Sequence, residues 1–202
     1  MSKPTFTVAT HAFRAALATA KPFAYLDADV LPWLSVVCLR PADDGIEVTA
    51  TDRCTISYET IKCTGEPFTV LIPLPIVRRV LDLLPGGRDV DGTTGITALK
   101  NERVRIDVGG DHNTSLTFTP ETGDYPTRQA MAERIAKLSG QEPASTVHIY
   151  PEVLNRACRA LAGRRFPEPV KVAFSAATGP VLITGDGVTI AVMPARVDPE
   201  PT

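Results

Sequence analysis

The chain has 202 residues, 44% of them hydrophobic and 22% charged, with a formal net charge of −2. That make-up is ordinary for a water-soluble globular protein and leaves ample material for one large or two small hydrophobic cores. It excludes a uniformly basic nucleic-acid binder, so any contact with DNA must come from an uneven placement of charge.

No apolar run approaches the ~18 residues of a membrane span, and no secretory leader stands at the N-terminus. The sequence therefore predicts a cytoplasmic protein with no membrane partner. Its four cysteines, Cys38, Cys54, Cys63 and Cys158, show no CxxC or CxxH spacing. They are expected to be reduced thiols rather than zinc ligands.

In chain order, Thr5–Ala9 has the pattern of a strand. Residues 11–21 have that of a helix, with Phe13, Leu17 and Ala20 on one face. The apolar run "VLPWLSVVCLR" (30–40) and "GIEVTATDRCTISYETI" (45–61) read as strands joined by a turn at Asp43-Asp44-Gly45. The second of these is interrupted at Asp52-Arg53, and aspartate is among the residues a strand least favours. Two readings stand there: a bulge or tight turn, or a corner facing a partner.

"FTVLIP" (68–73) opens a second unit as a buried strand. A helix over about 74–84 follows, with Ile76, Val77, Val80, Leu81 and Leu84 at helical spacing, and "PGG" stops it. Three strands, "GITALKN", "RVRIDVG" and "NTSLTFTPE", complete the unit. A polar, helix-prone connector runs from 127 to 144. The third unit opens with the strand "STVHIY" and continues with a helix at 151–162, with Pro151 at its first position and Val153, Leu154, Ala157, Cys158 and Leu161 on its apolar face. Strands "VKVAFS", "PVLITGD" and "VTIAVMPARV" finish it.

A strand, a helix and then two or three strands thus recur in units of about 50–60 residues. The expected organisation is two half-units, 1–64 and 65–126, forming one domain, then the connector, then a third half-unit at 145–202. The expected fold class is α+β, with antiparallel sheets on one side and helices on the other.

Basic residues concentrate on the three helices: Arg14 and Lys21 on the first, Arg78 and Arg79 on the second, and Arg156, Arg159, Arg164 and Arg165 on or just past the third. Acids collect in loops and at the C-terminus. Helices lying side by side would present one basic face able to take phosphates without reading bases. Catalysis finds no support: His11, His112 and His148 have no metal spacing, "GDG" at 185–187 reads as a hairpin turn, and no nucleophile elbow or phosphate loop is present. No cofactor or metal is expected.

"VLPWLSVVCLRPADDGIEVTATDRCTIS", "VLIPLPIVRRVLDLLPGG", the Asp124-Tyr125-Pro126 element and "ITGDGVTIAVMPARV" together resemble the bacterial β sliding clamp, the processivity subunit of DNA polymerase III. The resemblance covers roughly 5–126 and 145–197. It implies a DNA-clamp-like fold with helices lining a hole for duplex DNA and sheets outside, and a non-enzymatic role in DNA replication. It also implies a hydrophobic cleft in which polymerases and other clamp-binding proteins dock a short peptide, with a clamp loader as a further partner.

Carried over by motif, the cleft comprises Thr51, Asp52, Arg53, Cys54, Thr55 and Ile56, then Pro73, Ile76 and Val77, then Val192, Met193, Pro194, Ala195, Arg196 and Val197. Cys54 and Thr55 depart from the family, which often has a larger or basic residue followed by arginine, so the cleft is expected to be roomier there. The family's ring has twelve such units, so three per chain imply a homo-tetramer. The alternative is a monomer with the third unit folded back on the first two. A non-encircling adaptor or decoy for clamp-binding proteins is the competing function.

Overall fold

The computed structural model describes residues 4–86, 92–109, 114–126, 130, 149–162, 170–174, 180–185 and 187–194. In chain order these form β1 (Thr5–Ala9), α1 (Thr10–Ala20), β2 (Val36–Ala42), β3 (Gly45–Thr51), β4 (Thr55–Ile61), β5 (Cys63–Gly65), β6 (Val70–Pro73) and α2 (Leu74–Leu83). There follow β7 (Thr93–Ala98), β8 (Val104–Val108), β9 (Thr114–Phe118), α3 (Pro151–Ala162), β10 (Lys171–Phe174), β11 (Val181–Gly185) and β12 (Val188–Val192). Mixed α and β elements with antiparallel sheets are what the hydrophobic patterning implied.

The strands form two sheets, ordered β5-β1-β7-β8-β9 and β10-β11-β12-β4-β3-β2-β6. The first two units exchange strands: β1 leaves the first unit to pair with β7, and β6 leaves the second to pair with β2. The third unit joins the first through β12, which pairs antiparallel with β4. Alternation along these strands turns one face of each sheet inward. Ile46, Val48 and Ala50 on β3 and Val188, Ile190 and Val192 on β12 are buried there.

Phe13 and Leu17 of α1, Val77 and Val80 of α2, and Ala157 and Leu161 of α3 enter the same core. Helix α1 packs against both α2 and α3, so the three helices lie side by side with α1 in the middle. A smaller apolar cluster on the opposite, outer face of the larger sheet contains Leu34, Val36, Cys38, Leu71 and Tyr125. Burial pushes the Cys38 thiol up to about 11.

Local chemistry sets the element ends. α2 stops at Leu83 because Leu84 precedes Pro85 and takes an extended backbone. The run 30–40, read as one strand, begins instead with a 3₁₀ turn at Pro32–Leu34, and β2 starts only at Val36. Pro32 accounts for this, since it fixes φ and has no N–H for a ladder. The strand expected at 68–73 begins at Val70, and the short β5 was not anticipated. Of the strand expected at 145–150, only Ile149 and Tyr150 are described, and they have no regular structure. Apart from Ala130, the connector lies outside the described residues.

Candidate peptide cleft and helix face

The Asp52-Arg53 interruption is the turn between β3 and β4. Asp52 Oδ1 accepts hydrogen bonds from the amides of Cys54 (3.1 Å) and Thr55 (2.7 Å) and from the Thr55 hydroxyl (2.7 Å). The Thr51 hydroxyl donates to the Thr55 carbonyl at 2.7 Å. Arg53 adopts the left-handed conformation, with φ of 78°. Aspartate supports such a turn because its short side chain bonds the backbone two and three residues ahead. The interruption is thus a tight turn, and its Arg53 and Cys54 are exposed.

The C-terminal strand ends on this turn. Val192 pairs with Thr55 and Ala191 with Ile56, and the Met193 amide donates to the Cys54 carbonyl at 2.9 Å. Across the sheet, Ile56 pairs with Thr51, and Val36, two residues before the Cys38–Thr49 pair, pairs with Pro73. Ala191, Ile56, Thr51, Val36 and Pro73 thus form one cross-strand row on the outer face. Four steps between neighbouring strands make this row about 19 Å long.

Burial divides the expected cleft residues into frame and surface. Thr51, Thr55, Val77 and Val192 are buried. Asp52, Ile56, Pro73, Ile76, Met193 and Pro194 are half-buried, and Arg53 and Cys54 are exposed. Ala195, Arg196 and Val197 lie outside the described residues. The loop leading into Val36 carries the exposed apolar side chains Leu26, Val30 and Trp33 beside the same end of the sheet.

On the helix side, Arg78, Arg79 and Arg159 are exposed and Lys21 is half-buried. Arg14 and Arg156 are engaged within the chain. Arg14 Nη1 donates to the carbonyls of Leu81 and Leu84 at the C-terminal end of α2. Arg156 reaches Asp52, Thr55 and the carbonyl of Pro22. Arg164 and Arg165 lie outside the described residues.

Sequence reasoning missed Arg40, which donates to the carbonyls of Tyr125 (3.1 Å) and Pro126 (3.3 Å) and so holds the Asp124-Tyr125-Pro126 element on the outer face. Only the conjunction of a strand arginine with a distant Tyr-Pro pair hinted at it. Among the described residues, no group of three His, Cys, Asp or Glu side chains is placed to hold a metal ion, and no helix is long and apolar enough to cross a membrane.

Strand-exchanged half-units with helices on one side and antiparallel sheets on the other define a DNA polymerase sliding-clamp fold. The solved sliding clamps of Bacillus subtilis and Pseudomonas aeruginosa superpose with TM-scores of 0.71 and 0.70 over 96% and 98% of this chain. Their sequences are 14% and 16% identical to it, so the likeness is one of fold. The chain spans 64% of the Bacillus clamp and 68% of the Pseudomonas one. Neither a protein-family model nor a curated protein matches the sequence.

Proposed function

We propose that this chain is a sliding-clamp-like processivity factor: a non-enzymatic protein that encircles or tracks duplex DNA and docks partner peptides at the Asp52 turn. The observation that carries this reading is the meeting of the 52–56 turn with the Val192–Pro194 strand end, 140 residues apart in sequence, at one end of the cross-strand row that reaches Pro73. Half-buried Ile56, Pro73, Met193 and Pro194 offer adaptable apolar contacts, and Arg53 stands exposed beside them for a polar group of the peptide. On the helix side, Arg78, Arg79, Arg159 and Lys21 supply phosphate contacts that are independent of base sequence. Partners of this kind are a polymerase and other clamp-binding proteins, with a loader for a closed ring.

Three measurements test the reading together. Light scattering coupled to size exclusion should give a ring-sized homo-oligomer. Short peptides bearing two apolar anchors should shift the fluorescence of Trp33, the only tryptophan, which lies at the cleft's end of the sheet. Changing Arg78, Arg79 and Arg159 together to Glu should abolish retention on closed circular DNA at low salt while leaving the melt unchanged. A strict monomer that binds peptide but is never retained on DNA would replace the clamp by a peptide-binding adaptor.

A further inference from the structure

Arg156 lies on α3, where the other cation, Arg159, is exposed, yet its own guanidinium points into the chain. Nη1 forms an ion pair with Asp52 Oδ2 at 2.8 Å and donates to the Pro22 carbonyl at 3.2 Å. Nη2 donates to the Thr55 hydroxyl at 3.2 Å, and the guanidinium sits 5.5 Å from the centre of the Phe23 ring. The side chains of the pair are only 28% and 17% exposed, and Nε is buried with no hydrogen-bond partner among the described residues. A cation held at such a desolvation cost is fixed in place by its partners.

These contacts join three elements: α3, which carries Arg156, the turn after α1 with Pro22 and Phe23, and the β3–β4 turn with Asp52 and Thr55. Asp52 uses its two oxygens for different tasks. Oδ1 closes the turn on Cys54 and Thr55, and Oδ2 takes Arg156. The Cys54 carbonyl then receives the Met193 amide. A continuous chain of contacts therefore runs from α3 through Asp52 to the point where β12 leaves the sheet.

We infer that Arg156 is a positioning residue for the cleft, and not a DNA contact: through Asp52 it fixes the turn at 52–55 and, through the Cys54 carbonyl, the exit of the C-terminal strand at Met193. The inference rests on the cleft reading for its functional meaning, but its geometry is testable without any peptide. Lysine cannot replace it fully, since a single ammonium does not offer a planar fork to Asp52, Thr55 and Pro22 at once.

The test is amide hydrogen exchange on the full chain, comparing Arg156→Met, Arg156→Lys, Asp52→Asn and the Arg156→Met/Asp52→Asn double variant. Asn at 52 keeps the Oδ1 acceptor and removes the charge that meets Arg156. Arg156→Met should raise exchange at the Cys54, Thr55 and Met193 amides about tenfold or more, with β7–β9 amides unchanged. Arg156→Lys should fall between wild type and Arg156→Met. Asp52→Asn should reproduce the rise at Met193, and the double variant should add little to either single change.

Unchanged exchange at Met193 in Arg156→Met, or a double variant whose effects simply add, overturns the inference. If the rise occurs but the wild-type chain takes none of the two-anchor peptides, the cleft reading fails while the coupling of Arg156 to the turn stands. If peptides bind and their affinity falls in Arg156→Lys without a change in melting midpoint, both stand.

Discussion

Arg53 holds the strained position of the turn. A side-chain-bearing residue pays roughly 1–2 kcal/mol for the left-handed conformation, and glycine gives back part of that gain through its greater freedom in the unfolded chain. Arg53→Gly should therefore raise stability slightly, by a few tenths to about 1 kcal/mol, while weakening any peptide whose polar group meets the guanidinium. Urea denaturation and the Trp33 titration separate the two effects. A clear loss of stability would mean that the exposed Arg53 side chain contributes to the fold.

Cys38 carries a pH signature of the outer-face cluster. Burial raises its pKa from 9.0 to about 11. The folded chain thus holds the thiol proton more tightly than the unfolded chain does. The associated stability is intact below pH 9 and is lost as pH rises towards 11. A gap of about two units corresponds to about 3 kcal/mol. Cys38→Ala has no thiol to titrate, so the difference in unfolding free energy between wild type and variant should shrink between about pH 8.5 and 10.5. A difference that stays constant over that range would show that the thiol does not titrate with the fold.

At the scale of elements, α2 has no basic residue in its own last turn, and its terminal carbonyls are met by Arg14 from α1. A cation at a helix C-terminus complements both the unpaired carbonyls and the helix dipole. Arg14→Met should cost about 1–2 kcal/mol in urea denaturation, and an effect near zero would show the contact to be incidental.

Arg14 and Arg156 also mark where sequence reading stops. The helices and the β7–β9 meander were legible because apolar spacing, Pro151 and the Pro85 stop are local signals. The meeting of the Asp52 turn with the Val192 strand end was expected through a resemblance of motifs, and the β12–β4 ladder provides it. Which arginines face solvent was not legible: their partners lie 67 and 101 residues away, and a helix arginine looks the same from sequence whether it meets a phosphate or a carboxylate of its own chain. The three-residue β5 is too short to show a period, and the exchange of strands between units rests on the long-range pairings of β1 with β7 and β6 with β2, which no local pattern carries.

For the whole molecule, the third unit is part of the first unit's sheet. β12 supplies the ladder along the edge of β4 and buries Val188, Ile190 and Val192 completely, while α3 adds Ala157 and Leu161 to the same core. One core shared by all three units implies cooperative unfolding. Truncation after Pro126 would remove those side chains and turn β4 from an interior strand into an edge with unpaired backbone groups, an arrangement that invites pairing with other chains. The fragment 1–126 should therefore melt well below the full chain and self-associate in a concentration-dependent way, read by circular dichroism and by light scattering over a dilution series. Ile190→Ala in the full chain should show a milder version, costing about 2–4 kcal/mol by leaving a cavity beside Ser57 and Ile183. If fragment 1–126 instead melts at the full chain's midpoint and shows one concentration-independent mass, the third unit is an appendage, and the shared-core account of the fold is wrong.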